Sequence, residues 1–381
     1  MPAPVIDGYV QPGLEPVYET FKNLWEDIEV GASLAVYRNG ELVIDLWGGF
    51  TDRGCSHPWH PDTLVNVYST SKGITAIALA CLVEDGLLDY HAPMTAYWPE
   101  FGAEQKFDIT VADALSHRTG LYTFQPAIET KALYDWQVAT FNIASQSPAW
   151  PPRDGFGYHA ITWGFIAGEI VRRIKGETLG AYIRERITGP LKADVHLGLE
   201  DSEISRCSDL IGPNHARKIL TKRERGDSTS DRLRSNDPIL TPFKDVCSTE
   251  WRKAEIPASN IHATAKGVAT CFNAFLNNGL TSKSVVASAT RELTRGETDM
   301  TLGRKIRRSR GGFILNCGDC YCGPNAGAYG HSGTGGSVGF ADPANNIAFT
   351  YVMNQLDSDG PRRYSNLVNS LYQAIENETQ T

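Results

Sequence analysis

The clearest strand signals in this chain lie near its two ends, with a helical middle between them, and that arrangement limits the folds open to it. At the N-terminal end, Ser33–Tyr37 and Leu42–Trp47 are β-branched and aromatic runs flanking Asn39-Gly40, a strong two-residue hairpin signal. At the other end, Gly311–Leu315, Ser337–Ala341 and Ile347–Met353 are short apolar runs, the last two joined by the turn-rich link 342–346. Leu14–Ile28 carries apolar residues near helical spacing, and Arg362–Glu376 reads as a closing helix. In the middle, the helical pieces Thr110–Leu115 and Thr162–Lys175 are separated by long loops, and Lys218–Arg234 is a charge-rich, solvated excursion. The pattern predicts an α/β fold with an all-α region, its sheet assembled from both termini. The expected units are a discontinuous α/β domain of residues 1–87 and 256–381 and a mainly helical one of 88–255. A ligand site is expected at the seam between them.

Composition removes several classes. A chain of 381 residues that is 41% hydrophobic has material for a large core, which excludes disorder. With 36 basic against 44 acidic side chains the net charge is −8, excluding a strongly basic nucleic-acid or membrane-surface footprint for the whole chain. The longest apolar run, Gly73–Val83, is too short to span a bilayer. Eight cysteines are too sparse for a disulfide scaffold, and the opening MPAPVIDGYVQPG lacks a basic start followed by an apolar run. A cytoplasmic location with reduced thiols is expected.

Three short segments carry chemistry. Ser69-Thr70-Ser71-Lys72 is a Ser-x-x-Lys opening a predicted helix, Ser69–Asp85, that is apolar on all sides and expected to be buried. The three-residue spacing lets the Lys72 ammonium reach the Ser69 hydroxyl. A serine is a poor nucleophile until a neighbour takes its proton, and a desolvated lysine with a lowered pKa can do so. Backbone N–H groups at the helix start favour developing negative charge. Tyr158, within Gly155–Ala160 (GFGYHA), is a phenol that can act as general base near an ammonium. Gly330–Thr334 (GHSGT) leads into a strand, and its small residues let the backbone approach a bound acyl group.

Ser-x-x-Lys, a Tyr motif and a Lys/His-[Ser/Thr]-Gly segment, in this order, resemble the serine β-lactamases and penicillin-binding proteins. The resemblance is greatest to the branch holding class C β-lactamases, D-amino-acid peptidases and family VIII carboxylesterases. Ala114–Leu121 (ALSHRTGL) resembles that branch's Leu-Leu-Ser-His-Thr-Ser-Gly-Leu loop, and Gly330–Pro343 (GHSGTGGSVGFADP) is similar to the esterase form of the third motif. The similarity runs from about residue 15 to the C-terminus and is weak over Asp201–Glu255. It implies a β-lactamase/transpeptidase-like fold, an antiparallel sheet flanked by helices plus a helical domain, without cofactor or metal. It also implies an acyl-enzyme on Ser69, with Lys72 and Tyr158 sharing the serine proton. The implied oxyanion site is the backbone N–H of Ser69 and of Thr334, with His331, Ser332 and Gly333 bordering the substrate.

Two departures from the β-lactamase pattern favour esters. Tyr158-His159-Ala160 replaces Tyr-x-Asn, removing an amide that holds a β-lactam side chain, and His331-Ser332-Gly333 replaces Lys-Thr-Gly. An unperturbed histidine is mostly neutral at pH 7 and is a weaker clamp for a substrate carboxylate than lysine. The expected activity is hydrolysis of small-molecule carboxylic esters with small or medium acyl groups. The alternatives are a β-lactamase, a D-amino-acid peptidase or amidase, an acyltransferase with an alcohol acceptor, and an inactive binding protein with this fold. The intact Ser69, Lys72 and Tyr158 weigh against the last. Tyr122, Phe124, Trp150 and Phe156 are candidates for an apolar acyl or alcohol pocket, with ordinary core packing an equal alternative.

Other motifs lack their required context. Gly335–Gly339 matches Gly-x-Ser-x-Gly, but strand and turn signals follow it and no histidine lies beyond His331, so Ser337 is not expected to be the nucleophile. Cys317, Cys320 and Cys322 have only His331 nearby, short of a four-ligand zinc site, and read as loop cysteines. His57 and His60 have no third ligand at suitable spacing and read as a surface loop.

Overall fold

The computed structural model describes residues 4–26, 29–212, 245–357 and 362–380. The charged stretch Lys218–Arg234 lies outside the described residues. The Asn39-Gly40 turn closes a hairpin between β2 (Gly31–Arg38) and β3 (Glu41–Gly49), and both turn residues hold positive φ, 54° and 86°, as the mirror-image hairpin turn requires. β1 (Ile6–Val10) pairs with the outer side of β3. From the other end come β7 (Ile314–Leu315), β8 (Tyr329–Ser332), β9 (Val338–Asp342) and β10 (Ile347–Met353). The seven strands form one antiparallel sheet in the order β1-β3-β2-β10-β9-β8-β7. The two ends meet where β2 pairs with β10, Val36 opposite Phe349 and Leu34 opposite Tyr351. β10 is buried along its whole length, so a continuous apolar run replaces the alternation of a half-exposed strand.

Helix Ala265–Leu276 packs on β2, β9 and β10, and α1 (Glu15–Lys22) packs on the closing helix Arg362–Gln380. The predicted helix from Leu14 is shorter than expected, giving way at Asn23 to a 3₁₀ turn that ends at Glu26. The predicted strand Gly311–Leu315 keeps only its last two residues, because Gly312 takes φ 98° and turns the chain. The middle is also not purely helix and loop. β5 (Val195–His196) joins β4 (Val65–Asn66) and β6 (His262–Ala263) in a second, three-stranded sheet. That small sheet fixes the segment immediately before Ser69.

The helices that carry or brace the chemistry are α2 (Ser71–Glu84), α3 (Val111–Leu115), α4 (Trp136–Ser145) and α5 (Thr162–Lys175). Every residue of α2 from Ser71 to Leu82 is buried, matching an apolar surface on all sides. Thr110 and Asp113 form a reciprocal capping box that starts α3, and Gly176, at φ 73°, ends α5. Among the described residues no helix is long and apolar enough to cross a membrane.

Candidate active site

Ser69 does not begin the buried helix. It sits in a 3₁₀ turn, Tyr68–Thr70, and α2 starts two residues later. Side chains at i and i+3 nearly eclipse in such a turn, so Lys72 still stands beside Ser69. Tyr68 holds φ 45°, a left-handed conformation rare for a bulky residue, and so places backbone strain next to the half-buried Ser69.

Three side chains converge here. Ser69 Oγ lies 2.6 Å from Tyr158 OH, and Lys72 Nζ lies 2.9 Å from Tyr158 OH and 3.3 Å from Ser69 Oγ. Lys72 Nζ also donates to the carbonyls of Ala160 (2.8 Å) and Ala258 (3.0 Å). Carbonyls only accept, so these two claim two N–H bonds. Burial, and after it the Arg308 charge, holds the Lys72 amine well below the ordinary lysine range. A neutral amine so anchored has its lone pair left for the hydroxyls. The shortest path is then Ser69 O–H to Tyr158 oxygen and Tyr158 O–H to Lys72 nitrogen, a chain that can carry a proton from serine to lysine.

The Tyr158 loop is held by the segment resembling the branch's Ser-His loop. His159 Nδ1 donates to the Gly157 carbonyl (2.5 Å), so the neutral ring accepts from Thr119 Oγ1 at Nε2 (2.7 Å). The His159 N–H donates to His117 Nδ1 (3.0 Å), and the Gly157 N–H to the His117 carbonyl (3.1 Å). Burial pushes His159 down to about 4 and, in the small sheet's β6, His262 down to about 3. Both are neutral when folded at pH 7, whereas the unfolded chain's histidines bind protons below about 6.5. Stability therefore falls as pH drops below that value. Going from pH 7 to pH 5 should cost about 2 kcal/mol for each of these two residues, read by urea denaturation at the two pH values. A midpoint unchanged between them would contradict buried neutral imidazoles.

The third motif lies on β8 and the turn after it. His331 is buried, its ring 6.2 Å from that of Tyr158. Its Nδ1 donates to the Ser332 carbonyl (2.7 Å), and burial above all, with the Arg308 charge nearby, keeps the imidazole well below its usual range. The third motif therefore presents a neutral ring. Ser332 Oγ donates to the Asp319 carbonyl (2.8 Å), and Thr334 is exposed. A methyl at Gly333 would stand 2.3 Å from the Val67 carbonyl, so only glycine lets the motif approach the Ser69 segment this closely. Ser337 ties the same two pieces together. Its Oγ donates to the Val67 carbonyl (2.8 Å) and lies 3.0 Å from Thr70 Oγ1.

The family model for beta-lactamase matches residues 18–373. The chain belongs to the beta-lactamase family. It is 32% identical over 341 residues, 86% of this chain and 77% of the relative, to the Esterase/beta-lactamase LipL of Mycobacterium tuberculosis (strain ATCC 25618 / H37Rv). A solved family VIII carboxylesterase shares 36% identity at a TM-score of 0.86, over 97% of this chain and 100% of that one. A penicillin-binding protein homologue from Caulobacter crescentus shares 35% identity at a TM-score of 0.85, over the same 97% and 100%. The β-lactamase/transpeptidase-like fold implied by the motifs is therefore the fold of this chain, and its neighbours in the beta-lactamase family include esterases.

Within this beta-lactamase fold the four candidate pocket aromatics separate. Trp150 packs over Gly157, next to Tyr158, and stacks on Tyr122 with ring centroids 5.5 Å apart. Phe124 instead meets Phe165 of α5 at 6.1 Å, in the core, and Phe156 is wholly buried. Sequence reasoning missed Asp299 and Arg308. Asp299 Oδ1 accepts the Tyr158 N–H (3.1 Å), and the Arg308 guanidinium lies 4.8 Å from the Tyr158 ring centroid. Neither belongs to a motif with recognisable spacing.

Proposed function

We propose that this protein hydrolyses uncharged carboxylic esters of small or medium acyl groups through an acyl-enzyme on Ser69. The observation that carries this reading is the Ser69–Tyr158–Lys72 hydrogen-bond chain, with Lys72 anchored by two carbonyls that leave its lone pair toward the phenol. Ser69 Oγ attacks the ester carbonyl carbon as its proton passes to Tyr158 and the phenol proton to Lys72. The oxyanion rests on the backbone N–H groups of Ser69 and Thr334. The C–O bond to the alcohol breaks as the alcohol takes a proton from Tyr158, leaving the acyl group on Ser69. Water then attacks that acyl group, gives its proton to the same relay and restores the serine.

Two features support an uncharged ester over a β-lactam. The third motif offers neutral His331 where a substrate carboxylate would need a cation, and Ala160 stands where an amide would hold a β-lactam side chain. The solved family VIII carboxylesterase is in line with this choice, while the name of the LipL relative carries both activities. A panel of p-nitrophenyl esters, a chromogenic cephalosporin and a D-amino-acid anilide tests it. Esters should exceed the others in kcat/KM by about a hundredfold or more, the scale on which a site rejects a group it cannot pair. Comparable cephalosporin turnover would reverse the substrate assignment. Absence of both ester turnover and an acyl adduct on Ser69 by mass spectrometry would remove the enzyme reading.

A further inference from the structure

We propose that Asp299 and Arg308 are positioning residues of this centre, Asp299 fixing the Tyr158 backbone and Arg308 supplying the fixed positive charge that the third motif lacks. The inference rests on the reading of Ser69, Lys72 and Tyr158 given above. Asp299 is fully buried, and its Oδ1 accepts from the backbone N–H of Tyr158 (3.1 Å), Thr301 (3.0 Å) and Leu302 (2.9 Å) and from Thr301 Oγ1 (2.8 Å). One oxygen thus pins a tight turn to the tyrosine. The same turn is stitched on by the Met300 N–H to the Phe156 carbonyl (2.8 Å), and the Tyr158 carbonyl lies 3.3 Å from Thr301 Oγ1 as a second acceptor for its one proton.

Arg308 is 1% exposed, and its guanidinium carbon stands 4.8 Å from the Tyr158 ring centroid, as does Lys72 Nζ. Its ion pair with Asp299, Nη2 to Oδ2, is 3.6 Å long, beyond hydrogen-bond distance, and Nε and Nη1 have no hydrogen-bond partner among the described residues. A guanidinium is always charged, and no bidentate carboxylate neutralises this one locally. Its backbone is fixed: the Arg308 N–H donates to Thr294 Oγ1 (2.7 Å), and the Leu293 N–H donates to the Arg308 carbonyl (2.9 Å). The other titratable groups around Tyr158 and Lys72 are His117, His159 and His331, all held below the usual histidine range by burial first. Asp319, which faces Arg308, is pushed up by its own burial and is salted to Arg304 at 2.6 Å. Among the described residues here, Arg308 is therefore the cation that stands whatever the protonation of Lys72.

A fixed cation favours the form of the Lys72–Tyr158 pair that has lost a proton, the form able to accept one from Ser69. Removing the cation makes that proton harder to lose, so the acid limb of the pH profile must move to higher pH. Removing the Asp299 charge should move it to lower pH. The experiment is kcat/KM against pH for a neutral p-nitrophenyl ester. Arg308→Met should move the limb up by about one pH unit, a loss of about tenfold at any pH below the limb that recovers as pH rises. Arg308→Lys should keep the wild-type limb, and Asp299→Asn should lower it. A loss in Arg308→Met that is equal at every pH, or a limb that stays in place, would overturn the proposal. If Arg308→Met does not fold, the other two variants decide: a limb unmoved or raised in Asp299→Asn, or raised in Arg308→Lys, overturns it. Wild-type protein that forms no acyl adduct on Ser69 would instead sink the functional reading. An adduct with an unmoved limb would sink only this inference.

Discussion

Ser69→Ala should lower kcat/KM for a neutral ester by about 10⁵-fold, with the thermal midpoint almost unchanged. Under the proposed mechanism the loss is large because attack, acyl transfer and deacylation would all pass through one oxygen. What remains is the residual rate that oxyanion donors and binding supply without a nucleophile. The stability effect is small because Ser69 is only half-buried and its removal leaves no orphan. Lys72 keeps its 2.9 Å contact with Tyr158 and its two carbonyls. Ser337→Ala is the matching control. Its hydroxyl is buried between the Val67 carbonyl and Thr70 Oγ1, so its loss should cost about 1–2 kcal/mol of stability while an acyl adduct still forms on Ser69. Activity retained by Ser69→Ala and lost by Ser337→Ala would show that the nucleophile is misassigned.

The parts of this fold that could be read from the sequence are those set by local pattern. The Asn39-Gly40 hairpin follows from turn conformation, the burial of α2 from an apolar surface on all sides, and the Ser69–Lys72 pair from three-residue spacing. The pairing of β2 with β10 was legible as a consequence, because strands at both ends need each other to bury a face. β1 was not, since its exposed centre, Asp7–Tyr9, carries no alternation, and neither was β5, which is two residues long. The supports of Tyr158 were hidden for a different reason. Asp299 is 141 positions from the tyrosine it holds, and an acidic residue in a turn looks the same whether it faces water or the backbone of another loop. The neutrality of His331 at this site was half legible: the residue type allowed it, but the burial that chiefly enforces it, with the Arg308 charge nearby, is a tertiary fact.

Replacing Lys72 by methionine should cost about 10³–10⁴-fold in kcat, the range of a positioned proton acceptor acting as part of a unit. Methionine fills much of the space of the lysine stem but leaves the Ala160 and Ala258 carbonyls without donors, a penalty of about 1–3 kcal/mol each that denaturation will register. The sharper variant is therefore Lys72→Arg, which keeps the donors and the charge yet cannot release a proton. If Lys72 works by accepting the proton relayed through Tyr158, arginine should be nearly as inactive as methionine. If the ammonium acts only as a fixed charge, arginine should restore activity, and the relay is wrong. The wild-type pH profile carries the same information. Lys72 is held well below its usual range, so activity should be full above the pKa of the coupled pair and lost as pH falls through it. In Lys72→Met that acid limb should vanish, because the group that titrates is gone.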